Sequence, residues 1–245
     1  LHDESVVERI TGSLDLDTTD TVIEIGPGTG ALTRHLIEHA GRVIAIEFDR
    51  DLIPGLDRQF GHVDSLELIN EDALKLDLSR FGGGTVKVVA NLPYNIATPI
   101  LQRLALQRAR IGMMVLMFQR EVAERITAAV GSKQRGYLSV LAGNAFDVER
   151  LFDVPPTAFV PVPRVWSSVV RLFPKPLEQD ESELLELVSA GFMHRRKTLL
   201  NNLKGVFENA ADVLNGAGID PSRRAATLTL GEWKGLFDKK AGAPQ

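Results

Sequence analysis

The stretch Thr21–Glu47, TVIEIGPGTGALTRHLIEHAGRVIAIE, constrains this chain more than any other. It opens on the apolar run Val22-Ile23-Glu24-Ile25, which fits a buried parallel strand. Gly26-Pro27-Gly28-Thr29-Gly30 ends the run with glycine at alternate positions. A helical segment follows from about Ala31 to His39, and a second apolar run, Val43 to Ile46, ends in Glu47. Strand, glycine turn, helix, strand and acid make the first half of a nucleotide-binding α/β unit. Glycine lacks a Cβ, so a ligand can approach the backbone closely. An acid at the tip of the second strand can accept hydrogen bonds from both hydroxyls of a ribose, and Glu47 lies 19 residues after Gly28, close to the spacing that role requires.

The glycine pattern by itself admits three readings. Gly26-x-Gly28-x-x-Ala31 satisfies the dinucleotide fingerprint. Glu24-x-Gly26-x-Gly28-x-Gly30 looks like the turn of S-adenosylmethionine methyltransferases. A structural turn with no ligand is the third. Further along, Ser65–Asn70 reads as a short third strand, followed by Glu71-Asp72. An acid there is placed to take an adenine amino group, or equally to cap a turn. Val86–Ala90 is a fourth strand running into Asn91-Leu92-Pro93-Tyr94. Parallel sheets bind ligands beyond the carboxyl ends of their strands. At such an end Asn91 offers an amide oxygen, Leu92 a carbonyl and Tyr94 an aromatic plane, while Pro93 stiffens the turn. These parts suit a planar amine whose nitrogen is held for methylation, with catalysis mainly by positioning; a plain turn with a core tyrosine is the alternative.

The remaining elements follow in order. Helices are expected at Glu4–Leu14, Arg50–Phe60 with Pro54 near its start, Thr98–Ala109 with Thr98 as cap, and Gln119–Val130. Ile111–Phe118 is a fifth strand, and Asp147–Val154 and Ser168–Phe173 are two more. Between the last two, Phe159-Val160-Pro161-Val162-Pro163-Arg164-Val165-Trp166 is a stiff extended segment. Phe159 there is either a base-stacking platform or a buried anchor. Pro174-Lys175-Pro176, followed by acidic residues, marks a boundary, giving domains 1–175 and 176–245. The second reads as short helices at 184–192, 198–208, 210–215 and 231–237. His194-Arg195-Arg196-Lys197 is the densest basic cluster and suits phosphate contacts, with a solvated face as the alternative.

Composition narrows the class. There is no cysteine among the 245 residues, so disulfides and thiolate metal sites are excluded, and the five histidines lack metal-ligand spacing. His35 and His39 read as surface residues. No apolar run reaches the roughly 18 residues of a membrane span, and no signal peptide is visible. The expectation is a cytoplasmic monomer with no membrane and no metal partner. A net charge of −4 argues against a broad nucleic-acid surface but leaves room for a local basic patch. The chain begins at Leu1 rather than methionine, so the natural N-terminus is expected upstream.

Taken in order, these pieces resemble one family, the ribosomal RNA adenine N6-dimethyltransferases, and within it the bacterial enzymes acting on small-subunit (16S) rRNA. The carrying motifs are EIGPGTG at 24–30, VIAIE at 43–47, NEDAL at 70–74, NLPYNIATPI at 91–100, FVPVPRVWSSV at 159–169 and FMHRRKTLLNNL at 192–203. The resemblance spans essentially the whole chain, and NLPYN followed by F-x-P-x-P-x-V-x-S is its most specific part.

The resemblance implies an α/β fold: a Rossmann-like S-adenosylmethionine-dependent methyltransferase core with a small all-helical C-terminal domain. It implies dimethylation of two adjacent adenosines near the 3′ end of 16S rRNA. The methionine end of the cofactor would lie near Gly26, its ribose on Glu47 and its adenine amino group on Asp72. Asn91 would border both cofactor and target nitrogen, Leu92, Pro93 and Tyr94 would complete the target pocket, and Phe159 would stack on a flipped adenine. His194, Arg195, Arg196 and Lys197 would face rRNA. The family's Q-N-F-L motif closes over the cofactor, and Leu1 matches its last residue. Two other readings stand beside this one: a large-subunit rRNA methyltransferase of the antibiotic-resistance type, and a non-catalytic assembly or transcription factor. Leu92 and the Arg195–Leu203 segment favour the small-subunit class; the complete Gly26, Glu47, Asp72 and Asn91–Tyr94 set favours catalysis.

Overall fold

A computed structural model describes residues 1–93 and 96–241. The chain forms two compact units, residues 1–123 with 146–176 and residues 124–145 with 177–245. The first is built on a seven-stranded sheet. Its strands are β1 (Thr21–Ile25), β2 (Arg42–Glu47), β3 (Leu66–Asn70), β4 (Val86–Asn91), β5 (Ile111–Gln119), β6 (Phe146–Val154) and β7 (Ser167–Pro174). They lie in the order β3-β2-β1-β4-β5-β7-β6. The first five are parallel, and β7 runs antiparallel between β5 and β6.

Val22 to Ile25 and Val43 to Glu47 are buried on both faces, which is why they read as unbroken runs rather than as alternation. The strand order reverses at β1, with β2 on one side and β4 on the other. Open α/β sheets take their ligands beyond the carboxyl ends of the strands at such a switch point. Ile25 is paired with Ala90, so the glycine turn and Asn91 leave the sheet side by side.

Helices α1 (Glu4–Gly12) and α2 (Ala31–His39) cover one face. Val6, Val7, Ile10, Leu32 and Leu36 meet Val22, Val43, Val89 and Val115 in one core. Asp3 caps α1 by accepting the Ser5 and Val6 N–H groups. Helix α3 (Ile53–Phe60) starts three residues later than expected, with Pro54 in its first turn as expected. Helix α4 (Ala97–Leu106) has Ile96 at its cap, so Thr98 lies inside the helix and does not cap it. Past α4, the buried Arg108 donates to the carbonyls of Ala105, Lys175 and Pro176 at 2.8–3.0 Å. That clamp fixes the residues after β7 to the first unit.

Helix α5 (Arg120–Ile126) leads into the second unit and α6 (Tyr137–Ala145) leads back, followed by α7 (Glu181–Phe192), α8 (Leu199–Leu203), α9 (Ala210–Gly216) and α10 (Leu230–Ala241). The units therefore do not follow a single cut at 175/176, because residues 124–145 cluster with the C-terminal helices. Val140 of α6 is buried in the second core with Leu184, Leu187, Leu199 and Trp233. Sequence reading assigns no element to 137–145. Seven residues of α6 are buried, so it lacks the polar face that reveals a helical period.

Gly191 of α7 lies against the fully buried Trp233; a Cβ there would come within 2.3 Å of the indole ring. Gly191→Ala is expected to cost about 1–3 kcal/mol through overpacking, read as a lower urea midpoint. An unchanged midpoint would mean the ring has room to move.

Candidate active site

The glycine turn follows β1 and is tied to β2 by the Gly26 N–H, which donates to the Ile46 carbonyl at 2.9 Å. Gly26, Gly28 and Gly30 all adopt left-handed backbone, at φ +70°, +61° and +85°. Their reasons differ. A Cβ on Gly26 or Gly28 would meet nothing within 4 Å, so those two keep the space beside the turn open. A Cβ on Gly30 would lie 2.3 Å from the Phe60 ring, so Gly30 also admits α3.

Glu47 is the last residue of β2 and only 7% exposed. Its Oε2 accepts the Gly28 N–H at 3.1 Å and its Oε1 accepts the Asp49 N–H at 2.9 Å. The carboxylate thus holds the turn in shape, and each oxygen keeps a further lone pair. An acid spanning the turn in this way, next to the open space at Gly26 and Gly28, fits a ribose-bearing cofactor. Glu47→Ala removes the turn's anchor and, with it, the carboxylate lone pairs that face no partner of the turn. It is expected to weaken binding of a ribose-bearing cofactor by about 2 kcal/mol, roughly 30-fold; calorimetry showing unchanged affinity would take Glu47 out of the site.

Asp72 lies two residues past β3, whose last residue Asn70 pairs with Glu47. Its Oδ1 accepts the Leu74 N–H at 2.9 Å, so it caps the turn after β3. This is the turn-capping alternative, realised at the carboxyl edge of the sheet beside Glu47. Glu24 was visible in the sequence only as the acid of the glycine motif. It is 1% exposed, and the Thr33 hydroxyl donates to it at 2.6 Å, joining β1 to α2. Burial, helped by the nearby Glu47 charge, pushes its carboxyl up to about 7.

The second constellation stands at the end of β4. Asn91, Leu92, Pro93 and Phe159 line a cleft of about 240 Å³. Asn91 ends the strand opposite Met117, and the Leu92 N–H continues the ladder by donating to the Met117 carbonyl at 3.2 Å. The Leu92 side chain is buried, so its offering to a ligand is its backbone; Pro93 is exposed. Phe159 is 7% exposed and packs with the core of α1 and α2, which is the buried-anchor alternative, and it also forms a wall of the cleft. Tyr94 lies outside the described residues.

Leu1 lies away from the Asn91 cleft and at the flank of the glycine turn. It lines a separate cavity of about 260 Å³ with Thr29, Gly30 and Arg34. The His2 N–H donates to the Ala158 carbonyl at 2.9 Å, next to Phe159. Among the described residues, no group of three or more acidic or histidine side chains is placed to hold a metal, and no helix is long and apolar enough to cross a membrane. His39 is exposed, while His35 is half-buried and pairs with Glu4 at 2.6 Å.

In the second unit His194, Arg195, Arg196 and Lys197 are all exposed. Arg195 has a further task that sequence reading missed: its Nη2 donates to the carbonyls of Lys133 at 2.6 Å and Arg135 at 3.0 Å. Arg135 is itself buried and donates to the carbonyls of Ala128 and Leu228. Of the two basic residues in the 131–136 loop, only Lys133 is exposed.

Comparison with known proteins agrees with this geometry. The model of the family described as "Ribosomal RNA adenine dimethylase" matches residues 1–241. A Geobacter sulfurreducens protein named "Ribosomal RNA small subunit methyltransferase A" is 45% identical over 251 residues, covering 96% of this chain and 90% of the relative. Among solved structures, a dimethyladenosine transferase from Plasmodium falciparum superposes with a TM-score of 0.84 at 28% identity, covering 98% of each chain. The 23S rRNA methyltransferase ErmE gives 0.73 at 25% identity, covering 98% of this chain and 99% of its own. With an α/β methyltransferase fold, a buried acid spanning the glycine turn and a family match across nearly its whole length, the chain belongs to the ribosomal RNA adenine dimethylase family.

Proposed function

We propose that this protein dimethylates N6 of two adjacent adenosines near the 3′ end of 16S rRNA, within the small ribosomal subunit, as a cytoplasmic monomer. The protein is an S-adenosylmethionine-dependent rRNA adenine dimethyltransferase. The observation that carries the reading is the cleft of Asn91, Leu92, Pro93 and Phe159 beside the glycine turn at the sheet's switch point.

The roles of the residues follow from their chemistry. Gly26 and Gly28 leave room for the methionine end of the cofactor, Glu47 accepts from its ribose, and Asp72 lies at the edge where its adenine would be recognised. The bound cofactor supplies an electrophilic methyl group on a sulfonium, which departs as a neutral thioether. The Asn91 amide oxygen and the Leu92 carbonyl accept from the exocyclic amine and aim its lone pair. Phe159 stacks on the flipped base, and Tyr94 is the further residue that the family resemblance assigns to the target pocket. A strong base is not needed before transfer, so these residues work by orientation. His194, Arg196 and Lys197 bind rRNA phosphates, with Arg195 both contacting rRNA and bracing the Lys133 loop.

The small-subunit assignment is supported by relatives of that name at 40–45% identity, against 25% for the large-subunit enzyme ErmE. The test is methyl transfer from labelled S-adenosylmethionine to unmethylated small subunits, with large-subunit RNA in parallel. Dimethyladenosine from the small subunit alone is expected. Label only in large-subunit RNA would move the protein to the resistance class, and binding without label would leave an assembly factor.

A further inference from the structure

The segment that follows Phe159 carries more exposed apolar surface than its length warrants. Val160 is 72% exposed, Val162 63%, Val165 42% and Trp166 46%. Isolated exposed apolar residues are ordinary, but several in one short segment mark a binding surface. The segment is also well anchored. Its first residue, Phe159, is buried in the core, and at its far end the Arg120 N–H donates to the Trp166 carbonyl at 2.9 Å. The next residue, Ser167, pairs with Gln119. Pro161 and Pro163 stiffen the part between. The indole is therefore presented to solvent from a fixed backbone.

Its position follows from the register. Asn91 lies opposite Met117 on β5, and Ser167, the residue after Trp166, lies opposite Gln119 at the end of the same strand, two residues further along; the Trp166 carbonyl takes the N–H of Arg120, the first residue of α5. From Asn91 to Ser167 that is about 7 Å along the strand and two strand spacings, roughly 10 Å, across the sheet. Trp166 thus stands on the same carboxyl edge as the target cleft, a few nucleotides away along an extended strand. An exposed aromatic side chain in a strip with exposed valines, two residues from the exposed cation Arg164, has the components of a surface that single-stranded nucleic acid binds. A target adenine drawn out of its stack leaves neighbours that need support.

We propose that Trp166 is a positioning residue that stacks on a nucleotide flanking the target adenosine, with the exposed Val162 and Val165 of the same segment adding apolar contact. The inference rests on the rRNA substrate proposed above.

The chain has two tryptophans, and Trp233 is fully buried in the second unit's core, so Trp166 is the solvent-exposed fluorophore. Titration of the full chain with the unmethylated 3′-terminal fragment of small-subunit rRNA should quench tryptophan fluorescence, and Trp166→Phe should abolish the quenching. In steady-state methyl transfer to small subunits, Trp166→Ala should raise KM about 10-fold with kcat within about twofold, and Trp166→Phe should restore most of the loss. An unchanged KM in Trp166→Ala overturns the proposal, whatever the fluorescence does. So does a Trp166 signal that follows protein concentration instead of RNA, which would make the strip a contact between copies of this chain. Transfer by the wild type to small subunits, read in the same assay, judges the substrate assignment separately.

Discussion

Asn91→Ala is expected to slow methyl transfer about 100- to 1,000-fold while leaving rRNA affinity within about twofold. The magnitude is that of removing one preorganised polar group aimed at the reacting atoms. Asn91 ends β4 at the switch point and lines the cleft with Phe159, so its amide is carried by a central strand rather than by a loop. Alanine keeps the backbone ladder through Met117 but deletes the amide oxygen proposed above to orient the amine. The amine then rotates freely, and the lost alignment costs rate far more than binding. A single-turnover assay with saturating cofactor and small subunits measures the step directly. Turnover near wild-type would rule out positioning through this side chain.

The second large effect lies in Glu24, and its signature is in pH. The carboxyl is fully buried, and its ordinary value near 4.5 is pushed up to about 7, chiefly by burial; the nearby Glu47 charge adds to the rise and the Thr33 hydroxyl bond opposes it. Between those values the folded chain holds a proton that the unfolded chain has released. Stability from this site is therefore complete below pH 4.5, falls as pH rises to about 7, and is level above. The span amounts to roughly 3 kcal/mol. Glu24→Gln is neutral throughout and still offers Thr33 an acceptor. Its urea midpoint should lose this fall between pH 5 and 8, leaving the variant more stable than wild type at pH 8. Parallel pH curves for the two proteins would show that Glu24 is not the titrating group.

Much of the first unit was legible because its strands are of two plain kinds. Central strands β1, β2 and β4 read as continuous apolar runs, and the edge strand β3 as alternation. The glycine turn, Glu47, Asn91 and Phe159 are recognisable for a similar reason: each is a residue type that its place demands. What stayed hidden depends on contacts distant in sequence. Helix α6 is buried on too many sides to show a period, so its membership of the C-terminal unit could not be read. Arg195 looks like any other member of a basic cluster until its carbonyl partners at 133 and 135 are known. Asp72 stood between two readings, and the structure shows the capping bond while its place beside Glu47 keeps it at the edge expected of a cofactor contact.

The chain passes between its two units three times, at 123/124, 145/146 and 176/177. The helical unit is therefore an insertion joined to a tail, not an appendage behind a linker. A stop codon at 176 would leave α6 attached to the sheet while removing Leu184, Leu187 and Trp233, which share a core with its Val140. Such a fragment would carry an uncovered apolar helix and be prone to aggregate. Recombination between relatives faces the same condition: one crossover in the proline-rich segment transplants half a core. Exchange of the helical unit requires residues 124–145 and everything after 176 to move together, which ties the two halves of the gene to a common history.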